Sequence, residues 1–327
     1  MPLILSLLFG FLPMFLFATF VYWLDRYEKE PRLLLGAVFL WGAVVAAGAA
    51  YILNTGIGMG VYMVTHSEAA TEVSTTSLVA PVIEESFKGL AVLLVFWLAH
   101  REFDSILDGI VYAAVTALGF AATENAYYIY NLGYLEGGFA GLFQLAFIRV
   151  VLVGWQHPFY TSFIGIGLAA ARLNRNPSLR ILLPLLGLAA SIFTHALHNT
   201  MAQFLTGMVG LAVTSMADWI GWLFLLGFIV YMIWRENQLL QHQLNEEVQL
   251  GIITGEQYHS ACSFWRRTGG LFTSRRRKIN RFYQVCAELS HKKNQLTRMG
   301  DEHGNGEIIA DLRGELQQLS IGLTGLA

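Results

Sequence analysis

Charge is scarce in this chain, and the scarcity is regional. Only 13% of its 327 residues are Asp, Glu, Lys or Arg, while 55% are hydrophobic, about half the charge of an ordinary soluble domain. That excludes a water-soluble fold for the first 234 residues or so, where apolar runs of roughly bilayer-spanning length follow one another. Cysteine is nearly absent: Cys262 and Cys286, the only two, lie in the polar C-terminal part, which leaves no disulfide framework and no zinc-finger spacing. His-Glu-x-x-His, Gly-x-Ser-x-Gly, a Ser-His-Asp arrangement and a phosphate-binding Gly-rich loop are all missing, and with them the common sequence signatures of zinc peptidases, serine hydrolases and nucleotide-binding enzymes. No basic segment precedes the first apolar run, Leu3–Leu24. That run is too long for a signal-peptide core, so it reads as an uncleaved span.

Runs of the required length are Leu3–Leu24, Leu33–Leu53, Ser77–Ala99, Ser105–Tyr130, Ile181–Phe204 and Val209–Trp234. The stretch Gly138–Ala171 is too long for one crossing, at ~1.5 Å per residue. It divides into an interfacial or re-entrant helix, Phe139–Val153, and a short span, Gln156–Ala171. The expected fold class is all-α: a polytopic transmembrane helical bundle of about seven spans. Basic residues support seven. Nine Lys and Arg precede residue 235, and seven of them fall in three loops (Arg26, Lys29, Arg32; Arg101; Arg172, Arg175, Arg180). The alternate loops, Asn54–Thr76, Asn131–Gly137 and Thr206–Met208, hold none. The positive-inside rule then puts the N-terminus outside and the C-terminal tail in the cytoplasm of a plasma-membrane protein.

Against this background a few polar residues stand out. Glu84 and Glu85 lie inside the apolar run Ser77–Ala99, whose only other charge is Lys88. Ionisable groups inside a span are costly and mark function by default. Glu84 and Lys88 form an i,i+4 pair in the favourable orientation; a structural ion pair that pins helix packing is the plain alternative. Glu124 follows Gly119, Ala121 and Ala122, small residues that permit close helix approach; solvation among outer headgroups is its alternative. His157 opens the short span, and His195, His198 and Asn199 share one helix, with His195 and Asn199 on one face. Four helices carry these outliers at a similar depth below the outer surface, which points to one water-accessible pocket. A carboxylate there can take a proton from water, and histidine or an Asn amide can stabilise a developing oxyanion. The same inventory can bind zinc. Asp108, near a helix start, suits the helix dipole and needs no further role.

At these positions the chain resembles the PrsW family of glutamic-type intramembrane proteases, within the clan of the type II CAAX prenyl endopeptidases. The matching motifs are Glu84-Glu85-x-x-Lys88, Asp108-Gly109 leading to Phe120-x-x-x-Glu124-Asn125, His157-Pro158 and His195-x-x-x-Asn199, covering residues 80 to 200. The wider clan usually has Glu-Glu-x-x-x-Arg and Phe-x-x-x-His; the departures here point to the PrsW branch and away from prenyl-protein substrates. The resemblance implies peptide-bond hydrolysis of a single-pass membrane protein, anti-sigma-factor-like, near the outer face, as in site-1-type regulated proteolysis. It implies Glu85 or Glu84 as the base, His157 and His195 polarising the carbonyl, Asn199 supporting the oxyanion, Glu124 orienting a histidine or the water, and Lys88 and His198 in support. No cofactor is expected. If zinc is used, Glu85, Glu124, His157 and His195 are the expected ligands.

Residues 235–327 form the second expected unit, a cytoplasmic, mostly helical tail after a transmembrane protease domain over 1–234. The tail holds 12 Lys and Arg against 10 Asp and Glu. Arg275, Arg276, Arg277, Lys278 and Arg281 form a basic cluster suited to anionic lipid or to plain solvation. Thr254 and Gln257 fit a capping box, short helices with flexible joints are expected, and Met299–Gly306 reads as a loop. The expected partners are the membrane-protein substrate and the bilayer, with no nucleic acid. Rival readings are a zinc-dependent hydrolase, a proton-coupled carrier, which would usually show two similar halves that are not seen here, and a membrane scaffold for the tail.

Overall fold

The computed structural model describes residues 1–25, 27–263, 276–301 and 304–323. Among them the chain is helical, with no strand. The helices are α1 (Pro2–Leu24), α2 (Arg32–Thr65), α3 (Glu68–Ser74), α4 (Ala80–Leu98), α5 (Ile106–Tyr128), α6 (Leu135–Phe147), α7 (Gln156–Arg172), α8 (Pro177–Phe204) and α9 (Gly207–Gln249), followed by α10 (Gly255–Cys262), α11 (Arg276–Met299) and α12 (Asn305–Gly322). Wider π-turns interrupt or join them at Trp41–Ala46, Thr75–Val79, Ile129–Tyr134 and Ile148–Leu152.

Five helical stretches among the described residues are long and apolar enough to cross a membrane: Pro2–Leu24, Arg32–Thr65, Ile106–Arg172, Pro177–Phe204 and Gly207–Gln249. The protein is a polytopic helical membrane protein. The 67-residue stretch Ile106–Arg172 would be ~100 Å long if straight. It turns back at Gly138, whose φ of 60° and ψ of −150° break the helix. A Cβ at Gly141 would lie 2.3 Å from the Gly133 carbonyl oxygen, so the two arms of this reversal touch backbone to backbone. The chain breaks again at Val153–Trp155 before α7 begins. Helix α4 has the length of a span but carries Glu84, Glu85 and Lys88.

Two loops expected from hydropathy are helical instead. Residues 54–65 continue α2, which stops only at His66, in the left-handed region with φ of 49°. Most of 68–79 is helical as well. Asn131–Gly137 is likewise helical. Hydropathy marks where a chain prefers lipid; it does not mark where backbone hydrogen bonding ends.

Helix α5 is the axis of the bundle, with 18 of its 23 residues buried. Small residues let its neighbours close in. A Cβ at Gly109 would lie 2.3 Å from the Gly165 carbonyl oxygen of α7, and one at Gly165 would lie 2.0 Å from that of Gly109. Gly119 meets the Phe39 carbonyl of α2 in the same way. These contacts replace the hydrophobic driving force, which is absent between helices in lipid. Ser105 and Asp108 cap α5 reciprocally, as an acid at a helix start should. Leu7, Phe15, Ile52, Leu185 and Phe224 on the outer helices stay exposed, as side chains facing hydrocarbon do.

Helix α9 runs unbroken past the expected unit boundary at residue 234 to Gln249. Its lower part joins a second apolar cluster with Tyr27, Cys262, Phe282, Cys286, Leu289 and Leu316. The tail helices α11 and α12, of 24 and 18 residues, are longer than expected, and helix occupies the flanks of the expected loop 299–306 at Met299 and from Asn305; residues 302 and 303 lie outside the described residues. The Thr254–Gln257 capping box is present. Within the basic cluster, Arg275 and the Arg276 side chain lie outside the described residues, while Arg281 pairs with Glu288 at 3.0 Å and Glu315 at 2.7 Å. The tail meets the three basic loops at one end of the molecule: Tyr27 is in its apolar cluster, Asp104 pairs with Lys292 at 2.7 Å, and Arg175 donates to the Thr297 carbonyl at 3.2 Å.

Candidate active site

Helix α4 presents Glu84, Glu85 and Lys88 to the bundle interior, all buried. Lys88 Nζ donates to Glu85 Oε1 at 2.7 Å and lies 3.6 Å from Glu84 Oε2. The closer partner is therefore Glu85, three residues away, and not the i,i+4 Glu84. The Lys88 ammonium also sits 4.0 Å from the centre of the Phe120 ring, where the ring face adds attraction.

Glu85 is fully buried. Oε1 accepts from Lys88 at 2.7 Å and lies 2.9 Å from His195 Nδ1. Oε2 accepts from the Thr161 hydroxyl at 2.8 Å and the Ser191 hydroxyl at 2.7 Å. A carboxylate offers about four lone-pair sites, so Glu85 is saturated. It tethers α4 to α7 and α8 and has no capacity left for a water. Thr161 and Ser191 were not anticipated, although each lies four residues from an anticipated histidine, His157 or His195, and so shares its helix face.

Glu84 differs. Its Oε2 is buried yet has no hydrogen-bond partner among the described residues. It faces His195 Nε2 at 3.9 Å. His195 Nδ1 is held by Glu85, so Nε2 carries the lone pair, and two acceptors confront each other across a gap. A polar separation of this size suits a bridging water.

Glu124 Oε2 lies 2.9 Å from His157 Nε2 and pairs with Arg149. Arg149 also donates to Asn125 Oδ1 at 2.7 Å. It comes from the π-turn after α6, the stretch whose course the sequence left open. His157 Nδ1 lies 3.2 Å from Lys88 Nζ. An ammonium has no lone pair, so Nδ1 accepts and the network assigns the ring proton to Nε2, toward Glu124. The two histidine rings are 5.3 Å apart and nearly perpendicular. Tyr160 stacks on His195 at 5.0 Å, and its hydroxyl donates to Asp218 Oδ1 at 2.9 Å.

The structure thus brings Glu84, Glu85, Lys88, Glu124, His157 and His195 together. It does not bring His198 or Asn199 into the cluster. His198 Nδ1 lies 3.0 Å from Asp218, and the Asn199 amide donates to the Thr76 carbonyl at 2.9 Å on an exposed edge. Asp218 is a lone acid in the apolar run Val209–Trp234 and carries the same sequence signal as Glu124.

The donor set fits a divalent metal. Glu84, His157 and His195 each place one ligand atom within 4.8 Å of the others. Glu84 Oε2 is buried and has no hydrogen-bond partner among the described residues. Glu85 and Glu124 hold the outer nitrogens of His195 and His157, the carboxylate–histidine arrangement that orients metal ligands. Three carboxylates against Lys88 and Arg149 leave one negative charge in excess when both histidines are neutral. His157 would join an ion by giving up one of its two present contacts, to Lys88 or to Glu124. This trio contains Glu84, in place of the Glu85 and Glu124 expected from sequence.

Residues 30–235 match the PrsW family intramembrane metalloproteases. Protease PrsW of Bacillus subtilis is 25% identical over 229 residues, covering 69% of this chain and 89% of the relative. Protease PrsW of Oceanobacillus iheyensis is 29% identical over 182 residues, 54% of this chain and 76% of that protein. Protease PrsW of Geobacillus kaustophilus is 28% identical over 154 residues, 47% and 61% respectively. No solved structure matches significantly. With the match spanning well over half its length and a buried acid–imidazole cluster inside the matched region, the chain belongs to the PrsW family and is a membrane protease.

Proposed function

We propose that the protein hydrolyses a peptide bond of a single-pass membrane protein, of the anti-sigma-factor kind, near the outer face of the plasma membrane, as the first cut of a regulated sequence. The observation that carries the chemistry is Glu84 Oε2, buried without a hydrogen-bond partner among the described residues and facing His195 Nε2 at 3.9 Å. A water between these two acceptors points both protons at the protein and keeps a lone pair for the scissile carbonyl. Glu84 takes the proton as the carbon–oxygen bond forms and passes it to the leaving amine, the ordinary work of a positioned general base and acid. Lys88 Nζ, 3.6 Å from Glu84 Oε2, supplies positive charge where the oxyanion develops. Glu85 and Glu124 fix the imidazoles, and Asn199 takes no part in this scheme.

A second reading rests on the mutual closeness of the three potential ligands and on the family's description as metalloproteases. Glu84, His157 and His195 would hold a divalent ion such as zinc, which when bound acidifies water and polarises a carbonyl. In either reading the basic loops and the tail face the cytoplasm.

Comparative membrane proteomics of cells carrying wild type or Glu84→Gln tests the function. A fragment pair formed only with the wild type is expected; identical peptide profiles would refute it. Metal analysis and chelation of the purified protein separate the readings. Activity that is lost on chelation and restored by Zn2+ supports the metal form, and unchanged activity in metal-free protein supports glutamate acting alone.

A further inference from the structure

The geometry points to a second site, for a borderline divalent cation such as Zn2+, formed by Glu28, Asp104 and His291 where the tail meets the membrane bundle. Glu28 comes from the loop after α1, Asp104 from the segment capping α5, and His291 from tail helix α11. Each places one ligand atom within 4.8 Å of the other two. His291 Nδ1 is 3.5 Å from Asp104 Oδ1, and its Nε2 is 3.8 Å from Glu28 Oε2. The His291 and Asp104 side chains are only 4% and 2% exposed.

Two of the three groups are unsatisfied. Neither Glu28 Oε2 nor His291 Nε2 has a hydrogen-bond partner among the described residues. Buried polar atoms are nearly always paired, so two orphans aimed at each other call for a missing partner. Asp104 is differently placed: Oδ2 is taken by Lys292 at 2.7 Å, leaving Oδ1 toward the histidine.

Two carboxylates and one imidazole suit Zn2+; Ca2+, Mg2+ and Mn2+ prefer more oxygens and water. An adjoining cavity of about 260 Å³, lined by Asp104, Ser105, Glu236, His291, Asn294 and Arg298, gives an ion a way in and room for a water ligand. The family match spans residues 30–235, so Asp104 lies within it while Glu28 and His291 lie outside it, and the site joins the matched region to the tail. The ion would clip α11 onto the loops at one end of the bundle.

Zn2+ binding to the full-length protein in detergent, measured by equilibrium dialysis with metal analysis, tests this. It is run on the wild type and on a Glu84→Gln/His195→Ala background, which removes candidate ligands in the membrane cluster. On that background one Zn2+ per chain is expected. Adding His291→Ala should weaken it at least tenfold, and adding Glu28→Gln should do the same. Glu28→Gln is nearly isosteric and loses no hydrogen bond at Oε2, so it serves where His291→Ala fails to fold. In the wild type each of these changes should remove one equivalent. Zn2+ affinity unchanged by both would overturn the site and leave His291 as an imidazole lying between two carboxylates. Displacement of Zn2+ by an equal concentration of Mg2+ would overturn the assigned ion class.

Discussion

The neighbouring glutamates of α4 share a helix and a burial, yet their surroundings separate their roles. Glu84 has a free acceptor oxygen and Glu85 has none. Glu84→Gln is therefore expected to lower peptide cleavage by about 10²–10⁴-fold, the range for a lost general base, with little change in melting temperature. Glu85→Gln removes the charge that compensates buried Lys88 and is expected to cost about 3–5 kcal/mol of stability, so activity and thermal melting should fall together. Equal melting curves for the two variants would remove this division of labour. Asn199→Ala should keep activity within about tenfold of wild type, because its amide is spent on Thr76 at a modest net gain; a loss as deep as that of Glu84→Gln would return Asn199 to the reaction. The sequence pointed to the cluster because ionisable groups are conspicuous in apolar runs. It did not separate Glu84 from Glu85, because that difference lies in hydroxyls from two other helices. Thr161 and Ser191 carry no such signal in a run of mixed small residues, whereas Asp218, a lone acid in an apolar run, does.

At the level of helices, close packing depends on glycine where backbones touch. Gly165→Leu would drive a side chain into the Gly109 carbonyl, already 2.0 Å from where a Cβ would sit. It is expected to destabilise the α5–α7 crossing by more than the ~1–3 kcal/mol typical of overpacking. Gly227→Leu on α9, where a Cβ meets nothing within 4 Å, is the matched control and should be near neutral; thermal unfolding in detergent compares them. The helices were largely legible. The expected Ser105–Tyr130 and Gln156–Ala171 correspond to α5 and α7 within two residues at each end: the Ser105–Asp108 cap opens α5 and Arg172 closes α7, while the far end of α5 passes into the π-turn from Ile129 without a polar cap. Helix α2 ran on past Leu53 because nothing in Asn54–Thr65 forces a stop: no proline intervenes, and the left-handed His66 and the Ser67 cap come only afterwards.

Taken whole, the molecule has a membrane bundle whose buried cluster lies among α4, α5, α7 and α8, and a tail that grips the basic-loop end. Since Tyr27, Asp104 and Arg175 all touch tail elements, reporters fused in the 25–31 loop, in the 173–176 loop and after residue 250 should fall on one side of the membrane, expected to be the cytoplasm. A reporter in the 66–67 turn should fall on the other side. Accessibility to a membrane-impermeant label reads this out, and labelling of the first three from outside intact cells would reverse the orientation.

One uninterrupted rod links these two ends. Asp218, which holds Tyr160 and His198, lies on the same α9 that reaches Gln249 inside the tail assembly. Thirty-one residues of α-helix make a lever ~46 Å long. If it pivots as a stiff body at one end, a swing of ~5° carries the other by ~4 Å, about the width of the gap between Glu84 and the histidine it faces.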